Sequence, residues 1–378
     1  MTVRILVACT PGQAQVAAVA KGELLDYALW RPGAPDGYGD LYVGRVTARI
    51  PAMAGAFVAL TEGEGFLPDS EGGADATAGA LLPVRVARAA QGGKGPRLTA
   101  RLSAAEHALA SAEAGPVRLL RRGPGAVESV AGRYPDAPVL IDDPALAVAF
   151  RPVLGERLQI VRRAFDESVA EQVAALAAPS AVLPGGARLH VAPTPALTAI
   201  DVDAGPASAE RRDKASAQPA LNRAVMPALT RQIRLRNLSG AILVDFAGMP
   251  ARRRPALGRD LAAALAADPL RPRLLGFTAL GLAEIVRPRR HPPLHELLAG
   301  SHAAGLAALA RAEAELADRP VGSLVLHAAP DVIAALQADA VALADFARRS
   351  AGSLMLHSDP ALASGGWRLA QPREERAG

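Results

Sequence analysis

Short stretches in which apolar residues alternate with polar ones, or stand in runs of four to seven between turn residues, dominate the chain. Arg4 to Ala8, Gln15 to Val19 and Leu24 to Trp30 read as strands, with Lys21-Gly22-Glu23 as a hairpin turn. From Asp40 the strands shorten: Leu41 to Val46, Gly55 to Leu60, Gly65 to Pro68, Leu82 to Arg88 and Lys94 to Thr99, separated by glycines and prolines. Such a series predicts a small Greek-key barrel of OB type. Helical spacing follows at Ser103 to Ala114, then a basic strand and turn at Val117 to Gly125. Val139-Leu-Ile-Asp142-Asp143-Pro144 reads as a strand leading into a helix whose first turn holds the proline, and Ala164 to Ala178 as a further helix. Beyond Leu183-Pro-Gly-Gly186 come two strands, Arg188 to Val191 and Leu197 to Asp203, a polar loop from Ala204 to Pro219, and a long helix, Leu221 to Leu238, that Pro227 is expected to kink. A strand from Ala241 to Asp245, a helix from Pro255 to Ala267 and a strand from Leu274 to Thr278 follow. The remainder alternates helices and strands into a compact α+β module.

Two of these strands carry acid where apolar residues would be expected. Leu197-Thr-Ala-Ile-Asp201-Val-Asp203 delivers two carboxylates at positions i and i+2, which share one face of a strand. Ala241-Ile-Leu-Val-Asp245 ends a buried-looking run on a third. A carboxylate among apolar neighbours needs a partner, and two acidic strands in one chain point to a hard cation held by oxygen, with Mg²⁺ the natural candidate and Mn²⁺ a substitute.

Composition narrows the classes. At 378 residues, half of them hydrophobic, the chain has material for several cores, and the formal charge of +5 with a pI near 9.8 favours a polyanionic partner. Cys9 is the only cysteine, so neither a disulfide framework nor a thiolate zinc site forms within one chain. No apolar run is long enough to span a bilayer and Met1 to Val7 lacks a signal-peptide layout, so a cytoplasmic protein without a membrane segment is expected. Aromatic residues are scarce at 3%, which draws attention to Phe57 and Phe66 in neighbouring barrel strands. Periodicity leaves open whether they fill the barrel or stack on bases, with Arg88 and Lys94 reaching phosphates. Arg231, Arg234 and Arg236 near the end of the long helix suit its dipole or a phosphate equally well. His291 and His295 have ligand spacing, but Pro292 and Pro293 forbid a helix between them.

Taken in order, these segments resemble the ribonuclease E/G family of bacterial endoribonucleases. Asp40-Leu-Tyr-Val-Gly-Arg-Val-Thr47, Ala56-Phe57-Val, Gly65-Phe66-Leu-Pro68 and Lys94-Gly95 with Leu98-Thr99 are similar to its S1-type RNA-binding domain. Leu183-Pro-Gly-Gly186, Ala196 to Asp203, Asn222, Arg231 to Gly240, Ile242 to Phe246 and Gly281-Leu with Glu284 and Arg287 are similar to its DNase I-like catalytic domain.

The resemblance implies an α+β multidomain chain: an S1-type OB barrel (40–103) inserted in an RNase H-like domain (1–39 and 136–185), a reduced 5′-sensor region (104–135), a DNase I-like catalytic domain (186–295) and a small C-terminal α+β domain (296–378). It implies Mg²⁺ held by Asp201 and Asp245, with Asp203 standing where the family has an asparagine that orients the attack. It also implies cleavage of single-stranded RNA to 5′-phosphate and 3′-hydroxyl ends, in RNA processing or decay. RNA contacts would come from Phe57, Phe66, Arg88, Lys94, Arg234, Arg236 and Arg287. Arg122 matches the arginine of the family's 5′-monophosphate sensor, but the threonine beside it is missing, so weak discrimination of 5′ ends is expected. The family's cysteine zinc link is absent, and a homodimer would have to form without it. The alternative reading is a non-catalytic RNA-binding paralogue.

Overall fold

The computed structural model describes residues 2–112, 115–205, 214–317 and 322–372. Part of the polar loop anticipated at Ala204 to Pro219 and the end of the charged tail lie outside them. The chain divides into two compact units, each assembled from separated segments: residues 1–35, 125–177 and 294–378 form the first, and 36–124 with 178–293 the second.

The first unit has a five-stranded sheet in the order Leu158–Ile160, Val139–Ile141, Arg4–Thr10, Gln13–Ala20 and Glu23–Trp30. The last three form an antiparallel meander, and the first two add in parallel to Arg4–Thr10. Helices Ala126–Arg133 and Pro144–Leu154 contribute Val127, Val130, Ala147, Phe150 and Leu154 to the core against Ile5, Val7, Val139 and Ile141. Asp143 caps the second helix by accepting from the Leu146 N–H at 2.8 Å, with Pro144 in the first turn as the sequence predicts. The C-terminal module belongs to this unit, with a parallel pair, Ser323–Ala328 and Ser353–Ser358, and an unforeseen third strand, Trp367–Ala370.

The second unit begins with the barrel. Leu41–Ile50, Gly55–Ala59, Glu64–Pro68, Arg97–Thr99 and Leu81–Arg88 pair in succession and close on Leu41–Ile50, giving the five-stranded barrel that the spacing of turns predicts. Val46, Ala56, Val58, Leu67, Val84, Val86 and Leu98 fill it. The basic strand Arg118–Arg121 joins as an extra strand on Leu41 to Val43. That pairing crosses some eighty residues of chain and leaves no local trace.

The helix Ala104–Ala112 is tied to the barrel through Glu106, which is buried, accepts from the Ser103 N–H at 2.8 Å and pairs with Arg85 at 2.8 Å and Arg121 at 3.3 Å. Burial works against its charge, but the Ser103 and Arg85 bonds prevail and hold the carboxyl down at about 2.

The rest of the second unit is a six-stranded sheet, ordered Ser180–Val182, Arg188–Pro193, Thr198–Asp203, Gly240–Asp245, Ala283–Arg287 and Arg273–Phe277. Only the Thr198–Asp203 and Gly240–Asp245 strands pair in parallel. Leu189, Val191, Ile200, Val202, Ile242, Val244 and Ile285 project to one side, where helices Lys214–Leu235 and Gly258–Leu265 supply Val225, Met226, Leu229, Ile233, Leu261 and Leu265. Lys214–Leu235 starts before the expected Leu221 and ends before Leu238.

Since the folded pKa of Glu106 lies below the unfolded one, its carboxylate stabilises the fold above about pH 4.5, and that contribution fades as the pH falls toward 2. Glu106→Gln is expected to cost roughly 1.5–3 kcal/mol at pH 7, the worth of hydrogen bonds to a charged group. Urea titrations of both chains at pH 7 and pH 3 check it, since an equal difference at the two pH values would take the charge out of the explanation.

Candidate functional site

Alternation along the second unit's sheet fixes which side chains turn away from the core. In Thr198–Asp203 the residues are alternately buried and exposed, so Ile200 and Val202 point inward and Asp201 and Asp203 outward. In Gly240–Asp245, Ile242 and Val244 are buried and Asp245 is half-exposed on the outer side. The parallel pairing brings Asp201 directly opposite Asp245. Two carboxylates that stand 44 residues apart in sequence thus share one rung of the sheet, on strands about 4.8 Å apart.

The neighbours on that rung come from a strand the sequence predicts without singling out its histidine. His190 lies opposite Asp201 on the other side, exposed, with its Nδ1 3.0 Å from the Ser180 hydroxyl. One rung further, Asp203 faces Arg188, and its Oδ1 accepts from the Gly205 N–H at 3.2 Å. Asp203 therefore shares the outer face with Asp201 but is one rung beyond Asp245. Glu284, opposite Leu243, is a diagonal step from Asp245 on the far side.

Asp245 has a fixed partner. Arg254, of the triple arginine that precedes the helix Gly258–Leu265, donates from Nη1 to Asp245 Oδ1, while its Nε donates to the Met249 carbonyl at 2.8 Å and Nη1 to the Gly281 carbonyl at 3.3 Å. Arg254 is only 13% exposed and Asp245 47%, so the guanidinium is anchored in the fold and the carboxylate retains an open side. Gly281 is required at this spot, because its φ is +84° and a Cβ would stand 2.9 Å from the Arg254 Cδ. The loop behind is held by Asn222, fully buried, which donates from Nδ2 to the Ala247 carbonyl at 3.0 Å and leaves its Oδ1 without a partner.

Two oxygen-donor side chains on one open rung suit a hard divalent cation that keeps most of its water. Among the described residues no three of His, Cys, Asp or Glu converge into a full cage.

On the barrel, Phe57 and Phe66 form a cross-strand pair with ring centroids 5.5 Å apart, edge to face. Both are half-buried and lie outside the cluster that fills the barrel, so they project outward. Phe66 lies across Gly55, where a Cβ would approach its ring to 2.4 Å. Lys94 is exposed at a tip formed by Gly92 and Gly93, both with positive φ. Arg88 ends its strand with its Nε buried and unpartnered.

The other arginine candidates are engaged within the fold. Arg287 is buried, bound to Asp268 at 2.7 Å, to the Asn237 Oδ1 at 2.8 Å and to the Leu238 carbonyl at 3.1 Å. Arg236 is also buried and donates to Gln232 at 3.0 Å and to the Ala178 carbonyl. Arg234 is half-buried and donates to the Ala267 carbonyl at 3.3 Å. All three thus make contacts within the fold, and Arg287 holds the turn from helix to sheet through Asn237 and Leu238. Arg122 pairs at 2.6 Å with Asp40, whose carboxylate is otherwise buried, while more than half of the arginine side chain stays exposed.

Residues 149–290, which include the whole acidic rung, match the model of the ribonuclease E/G family. This segment belongs to that family. Over 122 residues the chain is 37% identical to ribonuclease E of Nostoc sp., covering 32% of the chain and 17% of the relative. Over 118 residues it is 35% identical to ribonuclease G of Escherichia coli (strain K12), covering 31% of the chain and 24% of the relative. The matches thus span less than a quarter of these relatives' length, and the family match leaves out the barrel.

The environment of Arg287 gives a direct check. Arg287→Met leaves Asp268 buried and unpaired and is expected to cost about 3–5 kcal/mol of stability. Arg287→Met with Asp268→Leu should recover most of it in urea titrations. A stable single variant with specifically weakened RNA binding would instead return Arg287 to the RNA surface.

Proposed function

We propose that the chain is a metal-dependent endoribonuclease that cuts single-stranded RNA to 5′-phosphate and 3′-hydroxyl ends. The observation that carries this reading is the shared rung of Asp201 and Asp245 on the outer face of a sheet within the segment matched by the ribonuclease E/G family. These carboxylates would hold Mg²⁺ or Mn²⁺, which when bound supplies charge stabilisation at the phosphate and lowers the pKa of its water.

The protein's own contribution is placement. The β-ladder holds both carboxylates on one side, and Arg254 fixes the rotamer of Asp245 through one oxygen, leaving the other free. His190, opposite Asp201, is within reach of the same space and can hold or pass a proton there. Phe57 and Phe66 offer faces for stacking that do not depend on base identity, each worth roughly 1–3 kcal/mol, and Lys94 adds charge for the backbone. The strand is thus gripped with little sequence readout, as fits unstructured, A/U-rich RNA.

A second reading, a non-catalytic RNA-binding protein, is favoured by one feature: Asp245 already has a cationic partner in Arg254. The two readings separate on one substrate. With a labelled A/U-rich single strand and Mg²⁺, the unaltered chain should cleave, and Asp201→Asn or Asp245→Asn should slow cleavage roughly a hundredfold or more, the scale of the several kcal/mol that a metal contributes. Binding measured in EDTA should be retained in both variants. Full cleavage by Asp245→Asn would refute the catalytic assignment, and binding without cleavage at any Mg²⁺ or Mn²⁺ concentration would establish the second reading.

A further inference from the structure

Most arginines of the second unit that touch a charged group touch an acid: Arg49 pairs with Asp69, Arg85 with Glu106 and Arg287 with Asp268. Three others have like charges as neighbours instead. Arg88, at the end of Leu81–Arg88, is the cross-strand partner of Arg97, an arrangement of like charges that weakens a sheet. Arg289 follows the strand Ala283–Arg287, in a segment bound to the barrel by the Ala89 N–H donating to the Arg290 carbonyl at 2.8 Å and by Gln91 Nε2 donating to the His291 carbonyl at 3.3 Å. Its guanidinium lies over Gly240, where a Cβ would stand 2.3 Å from Nη2, so the glycine makes the room it occupies.

None of the three side chains has a carboxylate or hydrogen-bond partner among the described residues, and the Arg88 Nε is closed off from solvent as well. Burial lowers the pKa of Arg88, and the charges of Arg97 and then Arg289 lower it further. Like charges placed together repel, and an anion from outside the chain would relieve them and give the buried Arg88 Nε a partner. Guanidinium forks match the paired oxygens of a phosphate, and neighbouring forks without acidic partners suit an anion supplied from outside the chain.

The position of the cluster tells which anion. Arg97 is the ladder partner of Phe66, whose ring faces outward beside that of Phe57. A base stacked there has its own backbone phosphate within reach of the neighbouring strand. We propose that Arg88, Arg97 and Arg289 cradle one phosphodiester of the RNA strand, adjacent to the base stacked on Phe66. The cradle draws one residue from beyond the acidic sheet and two from the barrel, so the phosphate it holds joins the stacking platform to the sheet that bears Asp201 and Asp245. This rests on the reading of the chain as an RNA-binding ribonuclease.

The test measures binding of the unaltered chain, Arg97→Gln, Arg289→Gln and Phe66→Ala to an A/U-rich single strand in EDTA, across a range of salt. Two arginine variants are used so that the misfolding of one leaves the other to decide, and thermal unfolding with inorganic phosphate is recorded for each. Loss of one phosphate contact should lower the slope of log affinity against log salt by about 0.7 and weaken binding roughly five- to fiftyfold at low salt. Inorganic phosphate should raise the unfolding temperature of the unaltered chain and not of the variants. If Phe66→Ala weakens binding while both arginine variants keep the original affinity and slope, the RNA reading survives and the cradle is overturned. If the unaltered chain ignores RNA yet inorganic phosphate stabilises it through these arginines, the cluster serves another anion, and both the proposal and the reading beneath it fall.

Discussion

The candidate site depends on one register. Thr198–Asp203 and Gly240–Asp245 are the one parallel pair in a sheet that is otherwise antiparallel, and they pair so that Ile200 meets Val244 inside and Asp201 meets Asp245 outside. A slip of one residue in either strand would send a carboxylate into the core and an isoleucine or valine into water. The apolar partners therefore enforce the placement of the acids: Ile200, Val202, Ile242 and Val244 have one place to go, against the long helix, and the aspartates are positioned by what their neighbours must do. The crossover between the two strands is that helix, and its end is held by the buried pair Arg287 and Asp268 together with the half-buried Asn237. Asn237 takes the left-handed conformation at φ +47° that ends the helix, and Arg287 clamps both its side chain and the next carbonyl.

This division of labour explains which parts could be read from the sequence. The strands carrying Asp201 and Asp245 were legible because acids interrupting β-branched and apolar runs are costly and therefore conspicuous. The barrel was legible because glycine and proline mark its turns locally. The pairing of the two acids on one rung was not, since register is a tertiary property, and neither was His190, which in one dimension is only a polar residue in an alternating strand. The helix Ala126–Arg133 escaped notice because Gly125 replaces the usual hydroxyl at its cap, although Glu128 returns a bond to the Gly125 N–H at 2.8 Å.

Arginine is where reading from sequence alone serves least well. The chain uses the same side chain to satisfy a buried aspartate at 287, to steady a half-exposed one at 254 and to crowd against its own kind at 88, 97 and 289. Nothing local separates these uses. What separates them is the presence of an acid brought from far along the chain, such as Asp268 for Arg287. A net charge of +5 hides this partition, because the arginines that matter to a polyanion are the few left over once internal acids have taken theirs.

The division into two interleaved units has an optical consequence. Both tryptophans, Trp30 and Trp367, fall in the first unit, Trp30 edge-on to Phe150 at 5.6 Å, while the second unit has no tryptophan and only Tyr38 and Tyr42 as tyrosines. Intrinsic tryptophan emission thus observes the half of the molecule that carries none of the proposed chemistry, and the other half is nearly dark. A tryptophan placed on the barrel's outer face would make that half visible without touching the built-in reporters of its neighbour.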